Sequence, residues 1–185
     1  MLNIRRVDGA GLLPEGAIEA ARTGKADGIA AIYRVHASEM LRAATRVTRS
    51  STDAEDIVHD VFVGLPELLR RYEDRGQLGS WLRSVTIGLA LDRIRRDYKR
   101  KSLLSRFGEL LSPMKADASE HQNTHDLNRA VDTLPSELRV VFVLRFFEEQ
   151  PYEEISSRLE ITQGSARVRY LRALRRLRSI METDR

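Results

Sequence analysis

Apolar residues in this chain recur at steps of three and four almost from end to end, and nowhere is there a sustained apolar–polar alternation bounded by turn residues. That spacing places apolar side chains along one stripe of an α-helix, whereas a half-buried strand needs a period of two. The expected fold class is therefore all-α: two small helical domains joined by a flexible linker, with a helix-turn-helix in the second. Residues 18–24 read as a short helix closed by Gly24, and Ile29, Ile32, Tyr33, His36, Met40, Leu41, Ala44 and Val47 form a long stripe broken at Ser50, Ser51 and Thr52. Thr52 and Glu55 have capping-box spacing, which predicts a helix starting at Thr52. Ile57, Val58, Val61, Phe62, Leu65, Leu68 and Leu69 make its core face. Pro66 inside such a run removes a hydrogen bond and costs about 3 kcal/mol, so the helix should kink or end near Gly64. Residues 73–80 read as a loop. Residues 81–90 are apolar nearly all round, as in a buried helix, and run on into Arg93, Arg95 and Arg96.

The stretch 102–126 contains Gly108, Pro113 and many polar residues, with Phe107, Leu110 and Leu111 as apolar anchors. The expected organisation is an N-terminal extension at 1–16, a helical domain at 17–100, a linker at 101–125 and a second helical domain at 126–185. In the last, Leu127, Val131 and Leu134 form one face, and Leu138, Val141, Phe142 and Phe146 the next. Pro151 opens a short helix with Ile155 and Leu159 inward, 160–163 make a turn, and a long helix runs from Gly164. Two short-linked helices with a basic second member are the helix-turn-helix pattern.

The charges are segregated. There are 31 Lys and Arg against 27 Asp and Glu, a formal net charge of +4, so position matters more than total. Residues 53–67 hold five carboxylates (Asp53, Glu55, Asp56, Asp60, Glu67) and no Lys or Arg. Residues 93–101 hold six basic residues against Asp97 alone. Residues 161–181 hold six arginines and no acid. The chain has no cysteine, which excludes disulfides, thiolate metal sites and thiol nucleophiles. With 31% charged residues, no window approaches the roughly 20 apolar residues of a membrane span. Asp8, Gly9, Gly11 and Pro14 interrupt what a signal peptide would need to be apolar, so no membrane insertion and a cytoplasmic location are expected.

On the final helix, Ala166, Tyr170, Ala173, Leu174, Leu177, Ile180 and Met181 fall on an arc of roughly 120°, with arginines around the remainder. So many guanidinium groups without carboxylates repel one another and call for a polyanion, which a phosphate backbone supplies. Thr162, Gln163, Ser165, Arg167 and Arg169, near the helix start, would enter a major groove; Arg172, Arg175 and Arg176 would grip phosphates. The plainer alternatives are a solvated basic helix or one that pairs with an acidic protein. Tyr72 and Trp81 could stack on bases but fit core packing better. Asp56 and Asp60 lack the further ligands a metal pair would need, and His121 and His125 sit in the polar stretch without a third ligand. With no nucleophile, metal set or phosphate loop, neither an enzyme nor a cofactor is expected.

In order, the segments ARTGKADGIAAIYRVH, DAEDIVHDVFVGL, RYEDRGQLGSWLRSVTIGLALDRIRR and LPSELRVVFVLRFFEEQPYEEISSRLEITQGSARVRYLRALRRLR resemble a bacterial sigma factor of the extracytoplasmic-function type, over nearly the whole chain. The resemblance implies a non-catalytic subunit that binds core RNA polymerase, recognises promoter DNA and opens it. By position it assigns Asp53, Asp56 and Asp60 to docking on the clamp helices of the largest polymerase subunit. It assigns the loop with Arg75, Gly76, Gln77 and Ser80 to capturing a flipped base of the −10 element. Ser84, Gly88, Arg93 and Arg96, with Asp92, would lie on the adjacent duplex-facing helix. The terminal helix from Ser165 would read the −35 element, its domain resting on the flap of the second-largest subunit, and an anti-sigma factor is an expected partner. Three residues depart from the pattern: Gly88 replaces a usual polar residue, often asparagine; Pro66 replaces a helix former; and Glu160 replaces a turn glycine, where a left-handed backbone would cost about 1 kcal/mol or more. Two other classes stay open at this point: a stand-alone helix-turn-helix regulator, and a helical protein using its charges only on protein partners.

Overall fold

The computed structural model describes residues 4–6, 12–106 and 125–183. The chain divides into two units, Met1–Asp117 and Ala118–Arg185, with the division inside the expected linker. Both are built from helices, as the periodicity required. The N-terminal extension adds one feature that the periodicity did not show: strand β1 (Ile4–Arg6) pairs antiparallel with β2 (Leu12–Pro14), Ile4 opposite Pro14 and Arg6 opposite Leu12.

In the first unit, α1 (Ala17–Arg22) leads into α2 (Ala26–Thr48), α3 (Ser51–Val63), α4 (Leu65–Arg70) and α5 (Leu78–Arg106). Gly24, at φ 78°, turns the chain between α1 and α2, and Lys25 N–H donates to the Ala20 carbonyl at 2.9 Å to close the first helix. The next crossing depends on Gly28, where an added Cβ would stand 2.5 Å from Ala21 N and 2.7 Å from the Ala17 carbonyl oxygen. Backbones meeting that closely leave room for no side chain. Ile32, Met40, Val61, Leu65, Leu69, Leu78 and Leu82 are buried together, and Leu13 of β2 joins them.

Helix α3 begins at Ser51, one residue before Thr52. Its cap is Ser50, whose hydroxyl accepts the Asp53 N–H at 3.1 Å, because Ser50 is the last residue with extended backbone and only that position can reach the orphan amides. Pro66 acts as expected: α3 ends at Val63, and the proline falls in the first turn of α4, where no hydrogen bond needs its missing N–H. The following loop is shorter than 73–80, because α5 already starts at Leu78 and Ser80 lies in its first turn. At the other end α5 runs to Arg106, into the stretch expected to be linker. Phe107, Leu110, Leu111 and His121 lie outside the described residues.

The second unit comprises α6 (His125–Asp132), α7 (Ser136–Phe142), a single π-helical turn (Val143–Phe147), α8 (Tyr152–Leu159) and α9 (Gln163–Thr183). Val131, Leu134, Val141, Phe142, Leu144 and Ile155 are its buried centre. The π-turn swings Phe146 outward, so it is exposed rather than a core residue, yet its ring stacks on Phe142 at 5.0 Å, and Phe147 meets both edge-on. Tyr170 of α9 completes the aromatic cluster, 5.9 Å from Phe142.

Candidate nucleic-acid and protein interfaces

The last helix owes its start to Thr162, whose hydroxyl accepts the Ser165 N–H at 3.1 Å and lies 2.9 Å from the Ser165 hydroxyl. Two of the expected groove readers thus serve first as a cap. The turn before them holds Glu160 in the left-handed region at φ 55°, where a glycine was the expected residue, and Ile161 N–H donates to the Ser156 carbonyl at 3.0 Å to end α8. Helix α9 then packs through a narrow row, Ala166, Ala173 and Leu177. Leu174 and Met181, expected on the core arc, are exposed along with Val168 and Leu171, because a short three-helix cradle covers only the middle of that arc.

Arg167, Arg172, Arg175, Arg176 and Arg178 are all exposed on α9, together with Gln163. Among the described residues none of these five has a carboxylate within ion-pair distance, whereas Arg169 turns inward to Glu137 of α7 at 3.4 Å and is half-buried. Arg167 is not loose: its guanidinium lies 5.5 Å from the centre of the Tyr152 ring, which Arg145 approaches to 5.4 Å. Arg145 is itself tied to the Gln150 carbonyl at 3.1 Å. Tyr152 was absent from the sequence reading; an aromatic at a helix start carries no signal until the fold sets it beside the reader helix.

In the first unit the three expected docking carboxylates are not equivalent. Asp53 is only 19% exposed at its side chain and binds Arg93 of α5 at 2.7 Å. Asp56, 58% exposed, stands 3.7 Å from the same guanidinium, and Asp60 is exposed one turn on. Arg93, assigned by resemblance to the DNA-facing helix, is therefore held by the acidic helix. Ser84, Gly88, Asp92 and Arg96 follow one another at i, i+4 spacing on α5, the last two exposed. An added Cβ at Gly88 meets nothing within 4 Å, so glycine is not required there by packing.

The loop before α5 is shaped by Asp74, whose carboxylate accepts the Gly76 N–H at 3.0 Å, with Gly76 at φ 75°. Arg75 and Gln77 are exposed, Arg75 pairing with Glu73 at 2.7 Å. The loop is anchored from below. Arg22 of α1 donates to the carbonyls of Leu69 and Tyr72 at 3.1 and 3.2 Å. Tyr72 is buried, as expected, and its ring lies 4.8 Å from that of Trp81, which is partly buried against the same core. Gly79 lies on the buried His36 imidazole, where an added Cβ would stand 3.1 Å from Cε1 and 3.2 Å from Nδ1. Among the described residues no group of three His, Asp or Glu could hold a metal ion, and no helix is long and apolar enough to cross a membrane.

A helix-turn-helix with an unanswered row of arginines defines the class of protein: a helical DNA-binding protein, joined here to a second helical unit with an acidic row. The chain matches the family models for sigma-70 region 2 over residues 32–100 and for sigma-70 region 4 over residues 124–177. It belongs to the sigma-70 family of RNA polymerase sigma factors, which direct promoter recognition, and is of the extracytoplasmic-function type. It is 31% identical to the sigma factor SigE of Mycolicibacterium smegmatis over 81% of this chain and 60% of that protein, and so spans under two thirds of that relative. It is 27% identical to SigV of Bacillus subtilis over 77% of this chain and 84% of that one. The same fold occurs in the sigma factor RpoE of Bartonella quintana, solved with the anti-sigma factor NepR (TM-score 0.57, 18% identity, covering 80% of this chain and 92% of that one). It also occurs in CnrH, solved with the cytosolic domain of CnrY (TM-score 0.53, 19% identity, 91% and 97%).

Proposed function

We propose that this chain joins core RNA polymerase as a non-catalytic subunit, docking through Asp56 and Asp60 and, behind them, Asp53. On this reading the loop 71–77 and the Ser84–Gly88–Arg96 row handle the −10 element. Helix α9 reads the −35 element with Gln163 and Arg167 at the groove and Arg172, Arg175 and Arg176 on phosphates, while Thr162 and Ser165 set the helix start. The observation that carries it is the contrast of an exposed arginine row on one unit with an exposed acidic row on the other. An acidic row repels DNA and suits a basic protein surface, where charge complementarity raises encounter rate and specificity. A stand-alone regulator has no use for it. The work is done in the cytoplasm, where polymerase meets the chromosome, and needs no cofactor. An anti-sigma factor is the expected regulator, since solved relatives of this fold are complexes, one of them with a named anti-sigma factor.

Run-off transcription with purified core polymerase tests the reading. Initiation from specific templates only when this chain is added is the expected result; duplex binding without initiation would turn the assignment to a stand-alone regulator. Affinity purification from the native cell should recover polymerase or an inhibitor.

A further inference from the structure

Val168 is 47% exposed on α9, and no packing reason places an apolar residue there. At about 100° per residue it sits about 160° from the buried row of Ala166, Ala173 and Leu177, with Arg172 about 40° to one side and Arg175 about 20° to the other. It is thus central to the cationic face, not a margin of the core. A lone exposed apolar residue needs no explanation, but Leu171, 51% exposed, continues the same outward strip one turn on, and valine is a poorer helix former than arginine or alanine. Helix propensity therefore gives no reason for it either. Val168 is the sixth residue of α9, within the first two turns, which a recognition helix inserts against base edges.

A major groove offers one apolar feature to such a side chain, the C5-methyl group of thymine. We propose that Val168 is a specificity-determining residue that packs on a thymine methyl in the upstream element, beside the base edge met by Arg167. The inference rests on the reading of α9 as the −35 reader. The flanking arginines favour this occupant over an apolar protein surface, since they supply phosphate contacts on either side of the methyl.

The test uses holoenzyme assembled from the full chain and core polymerase. Upstream elements are first enriched from randomised duplex, and each thymine is then replaced singly by deoxyuridine, which removes only the methyl. Wild type should lose about fourfold in binding at one or two neighbouring positions, the size expected for one buried methyl-sized group. Val168→Ala, at an exposed site where alanine keeps the helix, should bind the thymine duplex about fourfold more weakly and be indifferent to the replacement. An element that is enriched and bound but insensitive to every replacement overturns the proposal, as does undiminished methyl sensitivity in Val168→Ala; both leave the −35 reading standing. Enrichment of no upstream element at all overturns both.

Discussion

The two units treat their arginines in opposite ways. In the first, Arg93 is answered by Asp53 at 2.7 Å and approached by Asp56 at 3.7 Å, and Arg83 is answered by Glu39 at 2.8 Å. In the second, five arginines of α9 stand in solvent, and Arg169 alone on that helix meets a carboxylate among the described residues. A paired arginine contributes to its own fold and must give up its partner before it can bind a phosphate. An unpaired row repels itself and is relieved when a polyanion arrives. On the proposed reading, the second unit offers a standing surface for DNA. On the same reading, Arg93 would reach DNA only in competition with the acidic helix, so a partner that occupied Asp53 and Asp56 would also decide how free Arg93 is.

The sharpest test of that contrast is Asp56→Arg. It should weaken core polymerase binding by about tenfold or more while leaving the helical signal and melting unchanged; unaltered holoenzyme assembly would remove the acidic row from the docking surface. Next in size, Arg167→Ala should cost about 1–3 kcal/mol of discrimination at one upstream position. Arg176→Ala should instead weaken all duplexes alike and lower the salt slope by about one. Indistinguishable salt slopes and element preferences for the two variants would mean that α9 does not divide into readers and grips. Tyr152→Leu should lose about 0.5–1 kcal/mol of the same discrimination with no change in salt slope, because it frees Arg167 from its aromatic rest without removing its charge. Wild-type discrimination in competition binding would show that Arg167 does not need the ring. Last, with no expected effect on duplex binding, Glu160→Gly should stabilise the second unit by roughly 1 kcal/mol in denaturant unfolding by relieving the left-handed backbone.

Much of the candidate site was legible in the chain because charge and helical period are local properties. The acidic row at Asp53, Asp56 and Asp60 and the arginine row of the last helix needed nothing beyond residue type and spacing. Less legible were places where two local solutions competed. Thr52 with Glu55 and Ser50 with Asp53 both have capping spacing, and only the backbone turn at Ser50 separates them. Leu174 and Met181 fall within a generous apolar arc, but the width of the buried stripe depends on how much of it the neighbouring helices cover. In so small a unit that is only the row Ala166–Ala173–Leu177.

Period and composition alone settled the local make-up of this protein: helices, two basic segments, one acidic one, a turn before a cationic helix, and a helix that had to kink or end near Pro66. These follow from backbone geometry within a few residues. Contacts between residues far apart in sequence needed the tertiary structure: Arg93 on Asp53 across forty residues, Arg169 on Glu137, and Tyr152 under Arg167. A side chain's partner is chosen by which helices pack together. The same arginine spacing is compatible with a free cation or a neutralised one until that packing sets the distance.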